Sequence, residues 1–284
     1  MTSTVTSKPQ NRQFAASDGL ELAYYVWQAA EPTASLIISH GYAEHAGRYA
    51  DFAGYLTSQG VSVYALDHRG HGHSGGERAN VDVFRSFVTD LARFCDLVRE
   101  LNVEHPRIVL GHSMGGVIAA QMVLEHPFKL DGLILSAPFL KNAIPVPALL
   151  DALAGPVARL IPSLPTLKLD TSKLSRDKEV VKAYEADPLV YTGGVKARLG
   201  HEMTSAGEYV LERASSISLP LLVLHGSADA IADPAGSQEL CEAATSEDKT
   251  MKLYNGFYHE ILNELDKEAV YADVLTWLKA RRDA

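Results

Sequence analysis

The sequence predicts an α/β fold in which a mostly parallel central sheet carries helices on both faces and a helical cap is inserted after the sixth strand. Short apolar, β-branched runs alternate with segments of helical periodicity along the 284 residues. Such alternation is typical of parallel strands joined by crossover helices. The cap is predicted because the stretch 139–218 interrupts this alternation and is several times longer than the usual connection of about 2–6 residues.

Composition and charge exclude several classes of protein. The chain is 46% hydrophobic and 21% charged, which supplies enough apolar residues for a sizeable core. Its formal net charge of −9 argues against a nucleic-acid partner, which would favour a basic surface. Residues 1–10 lack the apolar stretch of a signal peptide and no run is long enough to span a bilayer, so we expect a cytoplasmic protein. Cys95 and Cys241 are far apart in sequence, and we expect free buried thiols.

The first segments predict an antiparallel hairpin followed by two buried strands. Strand-like runs at 12–15 and 20–27 flank an Asp-Gly dipeptide, which favours tight hairpin turns. The runs 34–39 and 61–67 are apolar and β-branched, as is typical of buried strands. The segment 48–59 between them is predicted to be helical.

The loop after the second of these strands contains His68, His71 and His73. Closely spaced imidazoles suggest a metal site. The glycines between them make a flexible loop, however, and no Cys, His or Asp cluster stands at a partner spacing, so we expect no metal. We expect instead that Asp67 and Arg69 hold the loop through charge-assisted hydrogen bonds.

The middle of the chain continues the alternation of strands and helices. Apolar residues at helical spacing predict a helix over 81–101. Strands are predicted from residue 108 and at 130–135, with a helix between them that ends at Glu125. These segments are expected to form the sheet and the helices that cover it.

The turn after the strand at 108 contains the sequence GHSMG, centred on Ser113. The pattern Gly-x-Ser-x-Gly holds a serine in a strained turn between strand and helix, where small residues let the crossing backbones approach. The serine oxygen then lies at a helix N-terminus, whose unpaired N–H groups favour an oxyanion. Ser113 is therefore the candidate nucleophile, although so short a pattern also occurs by chance.

A second oxyanion donor is predicted at the end of the strand 34–39, where His40-Gly41 precedes a loop. In an α/β hydrolase the N–H after such a dipeptide, here that of Tyr42, faces the same carbonyl oxygen as the N–H after the nucleophile, here that of Met114. Loss of one such donor commonly lowers turnover by about 10²–10³. Taken alone, His-Gly after a strand also fits an ordinary turn.

The interrupting stretch contains apolar residues at mixed helical spacing, broken by prolines, from 144 to 167. A polar helical segment at 177–185 and a helix at about 195–214 follow. We interpret the stretch as a helical cap over the carboxyl edge of the sheet, where α/β folds bind ligands. An apolar cap indicates an apolar substrate or a lipid surface, and the alternative is that its residues pack on the core. The predicted domains are a core of 1–138 and 219–284 and a cap of 139–218.

The candidate acid follows the strand predicted at 219–225. Asp229 lies just past the end of that strand, from which it can reach over the sheet edge. Its competitor Asp233 precedes Pro234 at the start of a helix predicted near 236–244, where an N-cap is the ordinary role of an aspartate. We therefore favour Asp229.

The candidate base is His259. Of the eleven histidines it is the only one that follows Asp229 in sequence, in a loop between a strand predicted at 249–254 and a last helix predicted at 267–281. The order Ser113, Asp229, His259 is the one expected of a catalytic triad on an α/β-hydrolase fold.

Four motifs carry a resemblance to a known family. They are HGYAEHAGRY at 40–49, DHRGHGHSGG at 67–76, GHSMGG at 111–116 and YHE at 258–260. With these motifs, and with similar segments in the cap, the chain resembles the monoacylglycerol lipases, the bacterial members in particular, over nearly its whole length. The resemblance implies a cofactor-free serine hydrolase that cleaves monoglycerides and other short esters. It also implies a lipid ester substrate and a mobile apolar cap that touches membranes transiently.

The resemblance also assigns residues. The triad and the oxyanion positions Tyr42 and Met114 carry over directly. Glu44 and Arg48 match the family motif, either to hold the polar end of the pocket or to order the helix start, and we favour the structural role. Leu262 stands where some animal members have a more polar lining at the glycerol end of the pocket, so it is a third candidate for substrate binding.

Two alternatives remain open at this level. A broad carboxylesterase, lysophospholipase or perhydrolase would use the same triad, because the specificity of such enzymes lies in the cap. A non-catalytic ligand receptor on the same fold is the more distant alternative, and an intact triad argues against it.

Overall fold

The computed structural model describes residues 10–101, 105–126, 130–144 and 148–281. The predicted N-terminal segment 1–9 and the part of the apolar cap run at 145–147 lie outside these residues. The strands are β1 Gln10–Ala15, β2 Glu21–Trp27, β3 Ala34–Ser39, β4 Val61–Leu66, β5 Arg107–His112, β6 Gly132–Ser136, β7 Pro165–Lys168, β8 Gly194–Lys196, β9 Leu221–Gly226 and β10 Lys249–Tyr254. The α-helices are α1 Ala50–Thr57, α2 Arg85–Leu101, α3 Met114–Glu125, α4 Ala148–Leu160, α5 Lys178–Ala186, α6 Ala197–Glu212, α7 Pro234–Ala243 and α8 Lys267–Lys279.

In the described part of the chain the main sheet has eight strands in the order β1-β2-β4-β3-β5-β6-β9-β10. The hairpin β1–β2 is antiparallel and joins the rest through an antiparallel β2–β4 pair, whereas all later neighbours are parallel. The predicted mostly parallel sheet is confirmed. Because parallel strands end at one edge, the loops after β3, β5, β9 and β10 meet there.

Helices cover both faces of the sheet. The apolar faces of α2, α3 and α7 pack on one side, and those of α1 and α8 pack on the other. The strands β3, β4, β5, β6 and β9 are buried along almost their entire length, which explains their continuous apolar runs. The helix predicted from 81 begins at Arg85, and Cys95 and Cys241 are free, buried thiols as expected.

The insertion, residues 139–218, lies between β6 and β9 and contains α4, α5 and α6. The helices α5 and α6 match the predicted helical segments. The insertion also contains a two-stranded antiparallel ribbon, β7–β8, which the sequence did not predict. The helix α6 buries Leu199, Met203 and Val210 in the main core, so part of the insertion packs on the sheet domain.

The histidine-rich loop after β4 is held by side-chain bonds. Asp67 accepts hydrogen bonds from the backbone N–H groups of Ala46 and His73, both at 2.8 Å. Arg69 forms ion pairs with Asp90 at 2.6 Å and with Asp18 at 2.9 Å. Among the described residues, no group of three or more His, Cys, Asp or Glu side chains is arranged to hold a metal ion. Within the same ranges, no helix is long and apolar enough to cross a membrane.

Candidate active site

Ser113 occupies a strained turn between β5 and α3. Its φ of 52° and ψ of −119° are rare for a residue with a side chain. The turn is sterically possible only with glycines around it. A Cβ at position 115 would lie 2.0 Å from the carbonyl oxygen of Ser39, and one at position 111 would lie 2.3 Å from that of Gly115. The small residues of GHSMG are therefore required by the close approach of β3, β5 and α3.

The structure brings the three predicted triad residues together. Ser113 Oγ lies 2.9 Å from His259 Nε2, and His259 Nδ1 lies 2.7 Å from Asp229 Oδ2. All three side chains are buried at the carboxyl edge of the sheet, after β5, β10 and β9 respectively. The arrangement allows His259 to accept the serine proton at one ring nitrogen while it donates to the carboxylate from the other.

The carboxylate of Asp229 accepts four hydrogen bonds. Oδ1 accepts from the backbone N–H groups of Ile231 at 2.8 Å and Ala232 at 3.1 Å. Oδ2 accepts from His259 and from His225 Nε2, the latter at 3.0 Å. The competitor Asp233 instead caps α7 by accepting from the N–H of Ala235 at 2.9 Å. The geometry thus favours Asp229 as the partner of His259.

The charges of this pair are mutually stabilising. Burial disfavours the His259 cation, but the Asp229 carboxylate outweighs burial and raises the pKa of His259 above its ordinary value. Burial also opposes the Asp229 anion, yet the charge of His259 and the hydrogen bonds from His225 and His259 hold the pKa of Asp229 well below its usual range. The pair therefore favours an imidazolium beside a carboxylate, the state that forms during acyl transfer.

The two predicted oxyanion donors flank Ser113. Met114 begins α3, so its N–H has no acceptor within that helix. A Cβ at Gly41 would lie 3.3 Å from that of Ser113, which places the Gly41–Tyr42 peptide beside the nucleophile. His40 Nδ1 donates to the Gly41 carbonyl at 2.7 Å. Because the peptide is planar and trans, the Tyr42 N–H points away from His40.

A buried ion cluster, Glu44–Arg48–Glu260, adjoins the triad. Arg48 donates to Glu44 at 2.7 Å and, with both terminal nitrogens, to Glu260 at 2.6 and 2.7 Å. Glu44 also accepts from the Gly41 N–H at 2.7 Å and from the Tyr49 hydroxyl at 2.8 Å. Burial opposes the Glu260 anion, but Arg48 outweighs burial and lowers the pKa of Glu260 to about 2.

Glu260 was not singled out from the sequence. Its signal is its position directly after His259 in the motif YHE. Its partner Arg48 is 212 residues away, so the pairing becomes visible only in the fold. Because Glu44 bonds the first peptide of the oxyanion loop, the cluster connects that loop with the loop that carries the base.

A cavity of about 960 Å³ opens onto Ser113 and His259. Its described lining joins Tyr42 and Glu44 of the sheet domain to apolar side chains of the insertion such as Val157 and Met203. Leu262 is not among the lining residues of this cavity. It is buried in the core against α8, where its carbonyl accepts from the Tyr271 hydroxyl at 3.0 Å. It lines a separate small cavity with Glu44 and Glu260, which also border the large one.

The insertion is bonded directly to the loop that carries His259. The carbonyl of Leu174 accepts from the N–H of Glu260 at 2.7 Å, and the Ser175 hydroxyl donates to the Asn263 carbonyl at 2.9 Å. The guanidinium of Arg176 pairs with the buried Glu264 carboxylate at 2.9 Å. Residues 174–176 of the insertion therefore support the position of the base.

A serine, a histidine and an aspartate in contact at the carboxyl edge of a mostly parallel sheet define the class of the protein as a serine hydrolase of the α/β-hydrolase fold. The family described as serine aminopeptidase, S33, matches residues 30–266. A monoacylglycerol lipase of Mycolicibacterium smegmatis is 38% identical over 96% of this chain and 98% of its own length. The chain belongs to this family, within the group of the monoacylglycerol lipases.

Two further relatives show how far the similarity extends. The monoglyceride lipase of Homo sapiens is 36% identical over 93% of this chain and 89% of its own length. The crystal structure of the Paleococcus ferrophilus monoacylglycerol lipase superimposes with a TM-score of 0.82 at 31% identity, covering 92% of this chain and 99% of that one. Both matches cover more than nine-tenths of this chain, so the fold class is shared.

Proposed function

We propose that the protein hydrolyses monoacylglycerols to a fatty acid and glycerol through an acyl-enzyme on Ser113. The observation that carries the proposal is the Ser113–His259–Asp229 chain opening onto one large, mainly apolar cavity. An apolar cavity of this size accommodates an acyl chain, and Glu44, His112 and Glu260 line it together with Ser113 and His259. The names of the relatives from Mycolicibacterium smegmatis and Homo sapiens support the same substrate class.

In the first half of the reaction His259 Nε2 takes the proton of Ser113 as the oxygen attacks the ester carbonyl. Asp229 keeps the imidazole in the tautomer that presents Nε2 to the serine and stabilises the cation that forms. The N–H groups of Tyr42 and Met114 bind the oxyanion of the tetrahedral intermediate. His259 then returns the proton to the glycerol oxygen, the ester bond breaks, and the acyl group remains on Ser113.

In the second half water replaces glycerol. His259 removes a proton from the water as it attacks the acyl-enzyme, the same two N–H groups hold the oxyanion, and the proton passes to Ser113 Oγ as the fatty acid leaves. Glu44 has all its described contacts within the protein, to Gly41, Arg48 and Tyr49. Its role in this proposal is to shape the oxyanion loop.

The experiment is glycerol release from monoacylglycerols of several chain lengths, beside di- and triacylglycerols, by the wild type and by Ser113→Ala. We expect release from monoacylglycerols and its loss in the variant, with unchanged circular dichroism as the control for folding. Cleavage of simple esters without glycerol release would reject the monoacylglycerol substrate and leave a general esterase. Turnover that survives in Ser113→Ala would reject the nucleophile.

We propose further that the insertion forms a lid whose outer surface contacts lipid. Its apolar side chains Leu160 and Ile161 are 79% and 55% exposed, and Leu164 nearby is exposed as well. Burial of such side chains in a membrane surface is favourable by about 25 cal/mol per Å² of apolar area. With the lid in contact with the membrane surface, the substrate would pass from the membrane into the cavity.

This contact is tested by sedimentation with phosphatidylcholine vesicles. We expect the double variant Leu160→Ser, Ile161→Ser to bind vesicles less than the wild type while it keeps its activity on a soluble ester, because neither side chain lines the large cavity. Leu253→Ser is the matched control, because Leu253 is an exposed apolar residue of the edge strand β10, outside the insertion. Equal binding by wild type and double variant would contradict the proposed surface.

A further inference from the structure

The catalytic acid has a second histidine partner besides the base. His225 lies near the end of β9, fully buried, and both of its ring nitrogens have partners. Nε2 lies 3.0 Å from Asp229 Oδ2 and 3.1 Å from the Ala232 carbonyl oxygen. Nδ1 lies 2.7 Å from the hydroxyl of Ser237 on α7, and Ser237 is also fully buried. The mechanism described above makes no use of His225 or Ser237.

These contacts determine which ring nitrogen carries the proton. A carbonyl oxygen only accepts, and the ionised Asp229 carboxylate only accepts, so Nε2 of His225 must be the donor. In the Nε2–H tautomer Nδ1 carries the lone pair, and the Ser237 hydroxyl is placed to donate to it. Ser237 thereby holds the ring in the orientation that directs Nε2–H to the acid.

We infer that His225, whose ring Ser237 holds in place from the opposite side, is a positioning residue that aligns Asp229 Oδ2 with His259. The inference rests on the proposed triad. Ile231 and Ala232 bond Oδ1, and they belong to the same loop as the acid, so they move with it. His225 belongs to the buried strand β9, and Ser237 belongs to a helix packed on that strand. The acid is therefore located relative to the sheet as well as to its own loop.

His225 also affects the strength of the bond between the acid and the base. The oxygen Oδ2 accepts from both imidazoles, and each donor withdraws charge from it. Removal of the His225 donor leaves more negative charge facing His259, which favours its cation. The other titratable groups that face His259 are Glu260, Glu44 and His112. The variants below leave these three in place, so a shift in the pKa of His259 reports on the Asp229 bond.

The test compares His225→Leu, His225→Gln and Ser237→Ala in steady-state hydrolysis of a p-nitrophenyl ester. In His225→Leu we expect kcat to fall by about 10- to 100-fold, the range for loss of a hydrogen bond to a charged group. We expect KM to change by less than about twofold, since the acyl cavity is untouched. The acid limb of the kcat/KM profile should move to higher pH. A side chain with a purely structural role would lower stability without moving this limb.

A conservative variant and a control variant distinguish loss of the hydrogen bond to Asp229 from a general effect of a buried substitution. A glutamine at 225 offers an N–H to Asp229 and a carbonyl to Ser237, so His225→Gln should recover most of the lost kcat and the wild-type pH limb. Ser62→Ala is the matched control for Ser237→Ala, because Ser62 is also fully buried and accepts hydrogen bonds, from Gln28 and Ala29, away from the triad. We expect Ser62→Ala to keep the wild-type kcat and pH profile.

A spectroscopic measurement applies even if His225→Leu does not fold. Nitrogen-15 NMR of the histidine-labelled wild type should show His225 as the Nε2–H tautomer, and Ser237→Ala should keep this tautomer but shift the Nδ1 resonance, because Nδ1 loses its hydrogen-bond donor. A Nδ1–H tautomer in the wild type, or a folded His225→Leu with unchanged kcat and pH limb, would overturn the inference. Failure of the wild type on monoacylglycerols with activity on the p-nitrophenyl ester would reject only the proposed substrate.

Discussion

At the carboxyl edge of the sheet the reacting side chains are buried and multiply bonded, whereas the insertion above them exposes apolar side chains and holds ion pairs in solvent. Asp229 accepts four hydrogen bonds, and Ser113 is held in a strained backbone conformation. The pair Lys182–Glu179 in the insertion is exposed at 3.8 Å. The contrast teaches that acyl transfer requires atoms held to within fractions of an ångström, while a surface that admits a lipid requires freedom to rearrange.

Substitution of the catalytic acid should have the largest effect on activity. Asp229→Asn preserves the shape of the side chain but stabilises the wrong tautomer of His259, so kcat should fall by about 10⁴-fold. Asp233→Asn is the matched control, since asparagine caps a helix as well as aspartate does and α7 should keep its N-cap. Initial rates on a p-nitrophenyl ester measure both. A larger loss in Asp233→Asn would transfer the role to Asp233.

Removal of a buried cation at the sheet edge and of an exposed cation in the insertion tests how much burial changes the contribution of an ion pair to stability. Arg48→Met leaves the Glu44 and Glu260 carboxylates buried without their cation, and the free energy of unfolding should fall by about 3–5 kcal/mol. Lys182→Met removes an exposed cation from the insertion and should cost about 0–1 kcal/mol. Urea unfolding at neutral pH gives both values. Equal losses in the two variants would show that the cluster is not effectively buried.

The turn at Ser113 offers a steric test of the same rigidity. Gly115→Ala places a methyl group against the carbonyl oxygens of Ser39 and His40, and overpacking of this kind costs about 1–3 kcal/mol. Gly54→Ala in α1 is the counterpart, because nothing lies within 4 Å of its added Cβ, and it should stabilise the protein by up to about 1 kcal/mol. Thermal unfolding distinguishes the opposite signs. Stabilisation by Gly115→Ala would contradict the close approach of β3 and α3.

The pH dependence of kcat/KM tests the effect of Asp229 on the protonation of His259. Only neutral His259 accepts the serine proton, and Asp229 raises the pKa of His259 above 6.5. The value of kcat/KM should therefore fall about tenfold per pH unit as the pH drops through a midpoint above 6.5. Burial, together with His259, lowers the pKa of His112 to about 4, so His112 stays neutral in this range. Activity retained at about pH 4 by the folded enzyme would contradict the assignment of the base.

Much of the sheet could be predicted from local sequence because its strands are buried on both faces. The predicted bounds of the buried strand β3 coincide with those of the structure, at Ala34–Ser39. Those of β10, Lys249–Tyr254, coincide as well, although this edge strand is mostly exposed. The ribbon β7–β8 was missed for the opposite reason. Its strands are short, exposed or half-buried, and contain Pro165 and Gly194, so neither a buried run nor an alternation distinguishes them from the helical segments around them.

The site residues also fall into two groups, those that local sequence identifies and those that only the fold reveals. Ser113, Asp229 and His259 could be named because each lies next to a recognisable strand end and their order is diagnostic. Their contacts in the structure agree with the roles proposed for them. His225 and Glu260 were missed as partners because their roles depend on residues brought near by folding, and Leu262 was placed at the pocket by a resemblance alone. Short motifs report backbone shape, whereas bonds between distant loops leave no local pattern.

The backbone bond between Leu174 and Glu260 has a consequence for the engineering of this enzyme. An enzyme with an open cleft for bulkier esters cannot be obtained by excising the insertion between β6 and β9, because the cut would remove a support of the loop that carries His259. A deletion confined to α4 and the β7–β8 ribbon would retain residues 174–176 and their bonds to Asn263 and Glu264. The insertion thus has two parts. The helix α4 and the β7–β8 ribbon can be deleted, whereas residues 174–176 support the loop that carries the catalytic base.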